Sequence, residues 1–268
     1  MLFRSHAIGL LADLTDEARR LGFSTDKTYD AVVPEISVDG RQYAFPCNVS
    51  TTMFWVNLDT FRKHGIDPPP MRWTFEDFER IGKQFVAAAN PEDGRHTVFF
   101  TSAFDTKLMY RTLGLSMFNE TLTRCTLDDP RFVRVLRLKR KWTDEDRLIP
   151  SAADQAEFAT QAGYGGSTLQ LFNSGHLAMF PMGRYALIQL RKFGKLNMAV
   201  TEPPHDGYPV SSIATRCASI YVGGDHRDKA VLFQSYLASE KYNLQIVRGA
   251  DALPPNPKYT RQEQFSRP

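Results

Sequence analysis

The sequence predicts an α/β fold. Short apolar runs of strand length, such as residues 53–57 and 97–101, alternate with amphipathic helical stretches. Residues 171–190, LFNSGHLAMFPMGRYALIQL, change periodicity twice, each time at a glycine. No internal repeat or low-complexity linker breaks the alternation.

In the first part of the chain, residues 10–21 have helical apolar spacing and Gly22 supplies a stop. Residues 33–38 and 41–46 flank Asp39-Gly40 and predict a hairpin. Residues 47–52, CNVSTT, form a polar patch between that hairpin and the strand-like 53–57. Residues 59–64 predict a short helix closed by Gly65. Thr74 then caps a strong helix: Phe75, Phe78, Ile81 and Phe85 recur at helical spacing, and Asp77 stands three residues after the cap. That aromatic stripe is core.

Residues 97–101 predict a buried strand, followed by a helical run over 106–113. Asp129-Pro130 opens another helix, with Asp as cap and Pro at the first helical position. Its Arg134, Arg137, Lys139, Arg140 and Lys141 are followed at once by Asp144, Glu145 and Asp146, the pattern of a solvated face. The run Gly163-Tyr164-Gly165-Gly166-Ser167-Thr168 fits neither phosphate-loop spacing and has no lysine after it. In the stretch 171–190, Gly175 suits a left-handed helix cap, residues 176–180 a buried strand, and Gly183 the turn into a helix that runs to Gly194. Residues 196–200 and 219–222 predict two more strands. A helix from Asp228 would carry Ala230, Phe233, Tyr236 and Leu237 inward.

Composition narrows the function classes. With 268 residues, 42% hydrophobic and 24% charged, the chain has material for one large or two modest domains and is not a disordered sequence. A net charge of +3 argues neither for nor against a polyanion. Cys47, Cys125 and Cys217 are far apart without metal-ligand spacing, so neither a disulfide framework nor a metal site is implied. The six histidines are scattered singly, and no HExxH or GxSxG occurs, so no catalytic residue is assigned and no cofactor is expected. No apolar run reaches the length of a membrane span, and MLFRSHAIGLLADLT lacks a full secretion signal.

Five blocks occur in a telling order: residues 39–85, beginning DGRQYAFPCNVSTTMFW; then LDDPRFVRVLRLKRKW; then 171–190; then LNMAVTEPP; and AVLFQSYLAS. This order resembles the family 1 extracellular solute-binding proteins of bacterial ABC importers, over roughly residues 9–255. The resemblance implies a two-lobe periplasmic-binding-protein architecture of type II, with the first lobe incomplete. One lobe would take residues 1–48 and 204–249, the other 49–203, with 250–268 a hinge-proximal tail. A carbohydrate would bind between the lobes and pass to ABC permease subunits, with no nucleic-acid partner and with membrane contact only through the permease or a lipid anchor. The place of work would be periplasmic or otherwise extracytoplasmic, and the chain an internal part of a longer protein whose signal peptide lies upstream.

The residues expected at the ligand are Asn48 and Ser50 at the first crossing, Ser102 and Asp105 after the third strand, and Gly183, Arg184 and Tyr185 at the strand-turn-helix. Ser212 and Arg216 would come from the returning lobe. Where the family most often has tryptophan after the glycine, this chain has Tyr185, which can still stack on the C–H face of a sugar. Two other classes stay open on the residues alone: a carbohydrate-active hydrolase using a carboxylate pair, and the same fold binding a non-sugar solute.

Overall fold

The computed structural model describes residues 2–92, 94–158, 166–249 and 252–266. Its strands are β1 (Ser37–Val38), β2 (Arg41–Gln42), β3 (Ala44–Thr51), β4 (Met53–Asn57), β5 (Phe99–Thr101), β6 (Leu177–Met182), β7 (Met198–Thr201) and β8 (Ile213–Ser219). The chain divides into two compact units. The first comprises Met1–Thr51, Gly183–Ile188 and Ile213–Pro268; the second comprises Thr52–Met182 and Gln189–Ser212.

The second unit is built on a four-stranded sheet of order β5-β6-β4-β7. β4 runs antiparallel to both β6 and β7, and β5 runs parallel to β6. The Phe75–Ala89 helix begins at Thr74 with a complete capping box to Asp77, and Phe75, Phe78, Ile81 and Phe85 are buried as the spacing predicts. Asp129 caps the Pro130–Arg140 helix, again as predicted. That helix runs on into one π-helical turn, Lys141–Glu145, which carries Trp142 into the aromatic core beside Phe78 and Phe104. The turn at Gly175 closes as a Schellman motif. His176 N–H reaches Leu171 O at 2.8 Å, Gly175 N–H reaches Phe172 O at 3.2 Å, and Gly175 has a φ of +79°.

Glu79 ties the two long helices together. Its carboxylate accepts hydrogen bonds from Lys141, from Lys83 Nζ at 2.9 Å and from Trp142 Nε1 at 3.2 Å. Burial alone would raise its pKa, but the bonds from Lys141, Lys83 and Trp142 outweigh burial and hold the carboxyl at about 2, against an ordinary 4.5. The folded value lies below the unfolded one, so this stabilisation is complete above pH 4.5 and is lost as pH falls through about 2. Stability is therefore expected to fall across that window, and Glu79→Gln to flatten the fall. Parallel acid titrations of the two proteins check this, and equal slopes would exclude Glu79 as a source.

In the first unit β3 pairs antiparallel with β8, and β1 and β2 form the small hairpin predicted around Asp39-Gly40. Two clusters pack here. Val32, Ile36, Tyr43, Ala44 and Val49 make one; Leu14, Ala18, Phe23, Phe45, Ile220, Val231 and Leu237 make the other, with Cys47 packed against it.

Several local expectations are corrected. The first-unit helix is Thr15–Leu21, not residues 10–21, because Ala12 N–H bonds to Ile220 O and Val222 N–H to Leu10 O. Asp13 Oδ1 then accepts from Thr15 N–H at 2.9 Å and starts the helix there. Residues 33–36 form a helical turn with Pro34 at its start, leaving only Ser37–Val38 as strand. The polar patch 47–52 is mostly strand, since residues up to Thr51 belong to β3. The strand expected at 219–222 lies earlier, at Ile213–Ser219, and Tyr221 makes a single bridge to Leu11. In the Arg227–Leu237 helix, Val231, Gln234 and Leu237 face inward, while Phe233 and Tyr236 are 55% and 37% exposed. Of the glycine-rich run, residues 163–165 lie outside the described residues, and Gly166 begins the Gly166–Asn173 helix. Among the described residues no helix is long and apolar enough to cross a membrane.

Candidate functional site

The register of β3 against β8 decides where the polar residues of the first crossing point. Asn48 lies opposite Arg216, Val49 opposite Thr215, and Ser50 opposite Ala214. Side chains alternate along a strand. Val49 is buried against Val32 and Ile36, so Asn48, Ser50 and Arg216 belong to the other face. Phe45 and Cys47 both pack toward the second cluster, two residues apart, whereas Ala44 and Val49, five apart, both pack toward the first. That break in the alternation is the bulge recorded between Pro46 and Asn48.

Gly183 follows β6 directly and brings two of the expected residues together. A Cβ there would run into Ser50 Oγ and lie 2.7 Å from Tyr185 Cε1, so only glycine leaves room for both side chains. The next residue, Arg184, holds its guanidinium carbon 3.9 Å from the centre of the Phe265 ring, within cation–π range. Ala186 N–H bonds to Gly183 O at 3.1 Å, and the Ala186–Leu190 helix follows. Tyr185 thus stands in the turn before the helix rather than within it. Asn48, Ser50, Arg184 and Tyr185 are half-buried and Arg216 is exposed.

The remaining three residues lie in the second unit. Ser102 N–H bonds to Met179 O at 3.3 Å just past β5. Asp105 caps the Thr106–Arg111 helix, its Oδ1 accepting from Lys107 N–H at 2.8 Å. Ser212 Oγ donates to Thr52 Oγ1 at 2.7 Å. The structure therefore brings Asn48, Ser50, Gly183, Arg184, Tyr185 and Arg216 together in one unit, and gives Asp105 and Ser212 structural bonds in the other. Sequence reasoning missed Phe265, which lies in a segment without helical or strand periodicity, and it missed the bulge opposite Arg216.

The chemistry on offer is hydrogen bonding, stacking and one exposed cation. Burial pushes the Cys47 thiol up, Cys217 adds to the rise, and Arg216 offsets it in part. Burial likewise raises the Cys217 thiol. Both thiols are thereby kept in the neutral form rather than as nucleophilic thiolates. Among the described residues no group of three His, Cys, Asp or Glu side chains is placed to hold a metal ion.

Residues 5–268 match the family model described as bacterial extracellular solute-binding protein. No curated protein matches the chain. Among similar solved structures is an ABC substrate-binding protein of Listeria monocytogenes in complex with cycloalternan, with 21% identity and a TM-score of 0.83 over 98% of this chain and 66% of that one. An ABC transporter solute-binding protein of Thermotoga lettingae, bound to alpha-D-tagatose, has 13% identity and a TM-score of 0.79, covering 98% and 67%. Maltose-bound MalE3 of T. maritima has 15% identity and a TM-score of 0.77, covering 97% and 66%. The chain thus spans about two thirds of the length of these structures. The likeness shows the fold that the sequence predicts, α/β of the type II periplasmic-binding-protein kind.

Proposed function

The chain belongs to the bacterial extracellular solute-binding proteins, and from that membership we propose that it is the substrate-binding part of an ABC importer, taking up a carbohydrate outside the cytoplasm and passing it unchanged to membrane permease subunits. The observation that carries the carbohydrate reading is the arrangement at Gly183. A glycine without a side chain holds a serine hydroxyl and a tyrosine ring at contact distance, beside the Asn48 and Arg216 pair. Sugars present hydroxyls around an apolar C–H face, so a ring for stacking and adjacent amide, hydroxyl and guanidinium groups suit them.

In this reading Tyr185 stacks on the sugar, Asn48, Ser50 and Arg216 bond its oxygens, Gly183 allows close approach, and Arg184 is steadied by Phe265. Ser102, Asp105 and Ser212 are the contributors from the second unit. The two lobes are residues 1–48 with 204–249, and residues 49–203, with 250–268 as a tail. Passage of the chain between compact units after Thr51 supports the first crossing, whereas the grouping of Gly183–Ile188 with the first unit and of the chain up to Ser212 with the second does not support a return at 204. The partners are a small carbohydrate and the permease, and the membrane is met only through the permease or a lipid anchor.

Calorimetry against cycloalternan, tagatose, maltose and related neutral sugars tests the proposal. Binding of at least one without turnover is expected. Tyr185→Ala is expected to weaken it about tenfold or more, a loss of roughly 1.4 kcal/mol. Unchanged affinity would remove Tyr185 from the site, and silence across this set and across acidic sugars alike would overturn the carbohydrate reading.

A further inference from the structure

We infer that the solute carries an anionic group, a carboxylate or a phosphate ester, and that Arg216 is the residue that takes it. This rests on the reading of the Asn48, Ser50 and Tyr185 face as solute-binding, and it adds the chemical class that the face selects.

The geometry is that of β3 and β8. Arg216 lies directly across from Asn48 and shares a face with Ser50, opposite the face where Val49 is buried. The bulge between Pro46, paired with Cys217, and Asn48, paired with Arg216, leaves Cys47 as the extra residue of β3. Such a bulge bends its strand and re-aims the side chains beside it. Arg216 is exposed, so its guanidinium is available on that face.

Three other arginines of the unit are held by carboxylates. Arg41 pairs with Asp13 at 3.1 Å, Arg227 with Glu17 at 2.6 Å, and Arg19 with Asp16 at 3.7 Å. Among the described residues no carboxylate pairs with Arg216. Glu35, which approaches the same strand, is turned to the backbone and accepts from Thr215 N–H at 3.2 Å. Cys47, the neighbour of Asn48, is held in its neutral form by burial and brings no compensating charge.

A neutral sugar closing over this face would cover the guanidinium without matching its charge, and covering an unmatched charge is costly. A carboxylate or phosphate restores the balance. The planar guanidinium fork meets either group with two parallel N–H···O bonds.

The test is calorimetry of the chain against glucose, galactose and mannose, each compared with its uronic acid and its 6-phosphate. At least one acidic form is expected to bind ten times or more tighter than its neutral parent, and the two acidic arms tell carboxylate from phosphate. Arg216→Gln is expected to weaken the acidic form far more than its neutral parent, so that the preference is lost, with the thermal midpoint unchanged, and Arg216→Lys to restore part of the preference. Neutral sugars binding as well as their acids, or a preference that survives Arg216→Gln, would overturn the inference while leaving the carbohydrate reading standing. Failure of every neutral and acidic sugar would overturn both.

Discussion

Trp142→Ala is expected to destabilise the second unit by about 3–5 kcal/mol, the cost of emptying a large aromatic from a packed core. Trp142 is fully buried. Its ring lies 4.5 Å from Phe78 and 5.4 Å from Phe75, and stacks on Phe104 at 5.8 Å with an interplanar angle of 6°. These partners come from the Phe75–Ala89 helix and from the segment after β5, so the cavity would loosen several elements together. The substitution also deletes the Nε1–H bond to Glu79. Trp142→Phe keeps most of the ring and loses that bond, and is expected to cost about 1–2 kcal/mol. Urea denaturation followed by circular dichroism measures both. A loss below about 1 kcal/mol for Trp142→Ala would mean that the core closes over the gap.

Asn90→Ala is expected to cost about 2–4 kcal/mol, because one side chain serves four backbone groups. Its Nδ2 donates to Val86 O and Val98 O, each at 2.9 Å, and its Oδ1 accepts from Thr97 N–H at 2.9 Å and Val98 N–H at 3.0 Å. Asn90 therefore ends the long helix and fixes the residues that lead into β5. Asn90→Asp keeps the acceptor and loses both donations, so it should fall between wild type and alanine. The same denaturation series checks the order. Equal stability of the alanine and aspartate proteins would show that the donated bonds, not the accepted ones, hold the junction.

What the sequence made legible was local. The Thr74–Asp77 box, the Asp129-Pro130 start and the Gly175 stop each act through bonds within a few residues, so residue type suffices to read them. β8 was hidden because IATRCAS has no apolar alternation; its extended form is imposed by the ladder to β3. Phe233 and Tyr236 show the reverse case, in which helical spacing alone does not say which side of a helix meets the core. In the candidate site, Gly183 and Tyr185 were readable from the change of period after residue 180. The facing of Asn48 and Arg216, the bulge between Pro46 and Asn48, and the seat of Arg184 on Phe265 depend on partners far along the chain, which no local pattern encodes.

The pairing of β3 with β8 also sets an order of assembly during synthesis. The bond from Thr215 Oγ1 to Asn48 O joins positions 167 residues apart, so the ladder cannot begin until the whole intervening stretch has been made. The whole of the second unit lies within that stretch, and its own sheet joins β4 to β7 across the pair Phe54 and Thr201. Closing so long a loop from an open coil would be slow and entropically costly. If the enclosed unit condenses first, it shortens the effective span and brings Thr51 and Ile213 within reach of each other. The sheet that carries Asn48 and Arg216 is then among the last parts to form, and a nascent chain halted before residue 213 would expose β3 as an unpaired edge to proteases and to other chains.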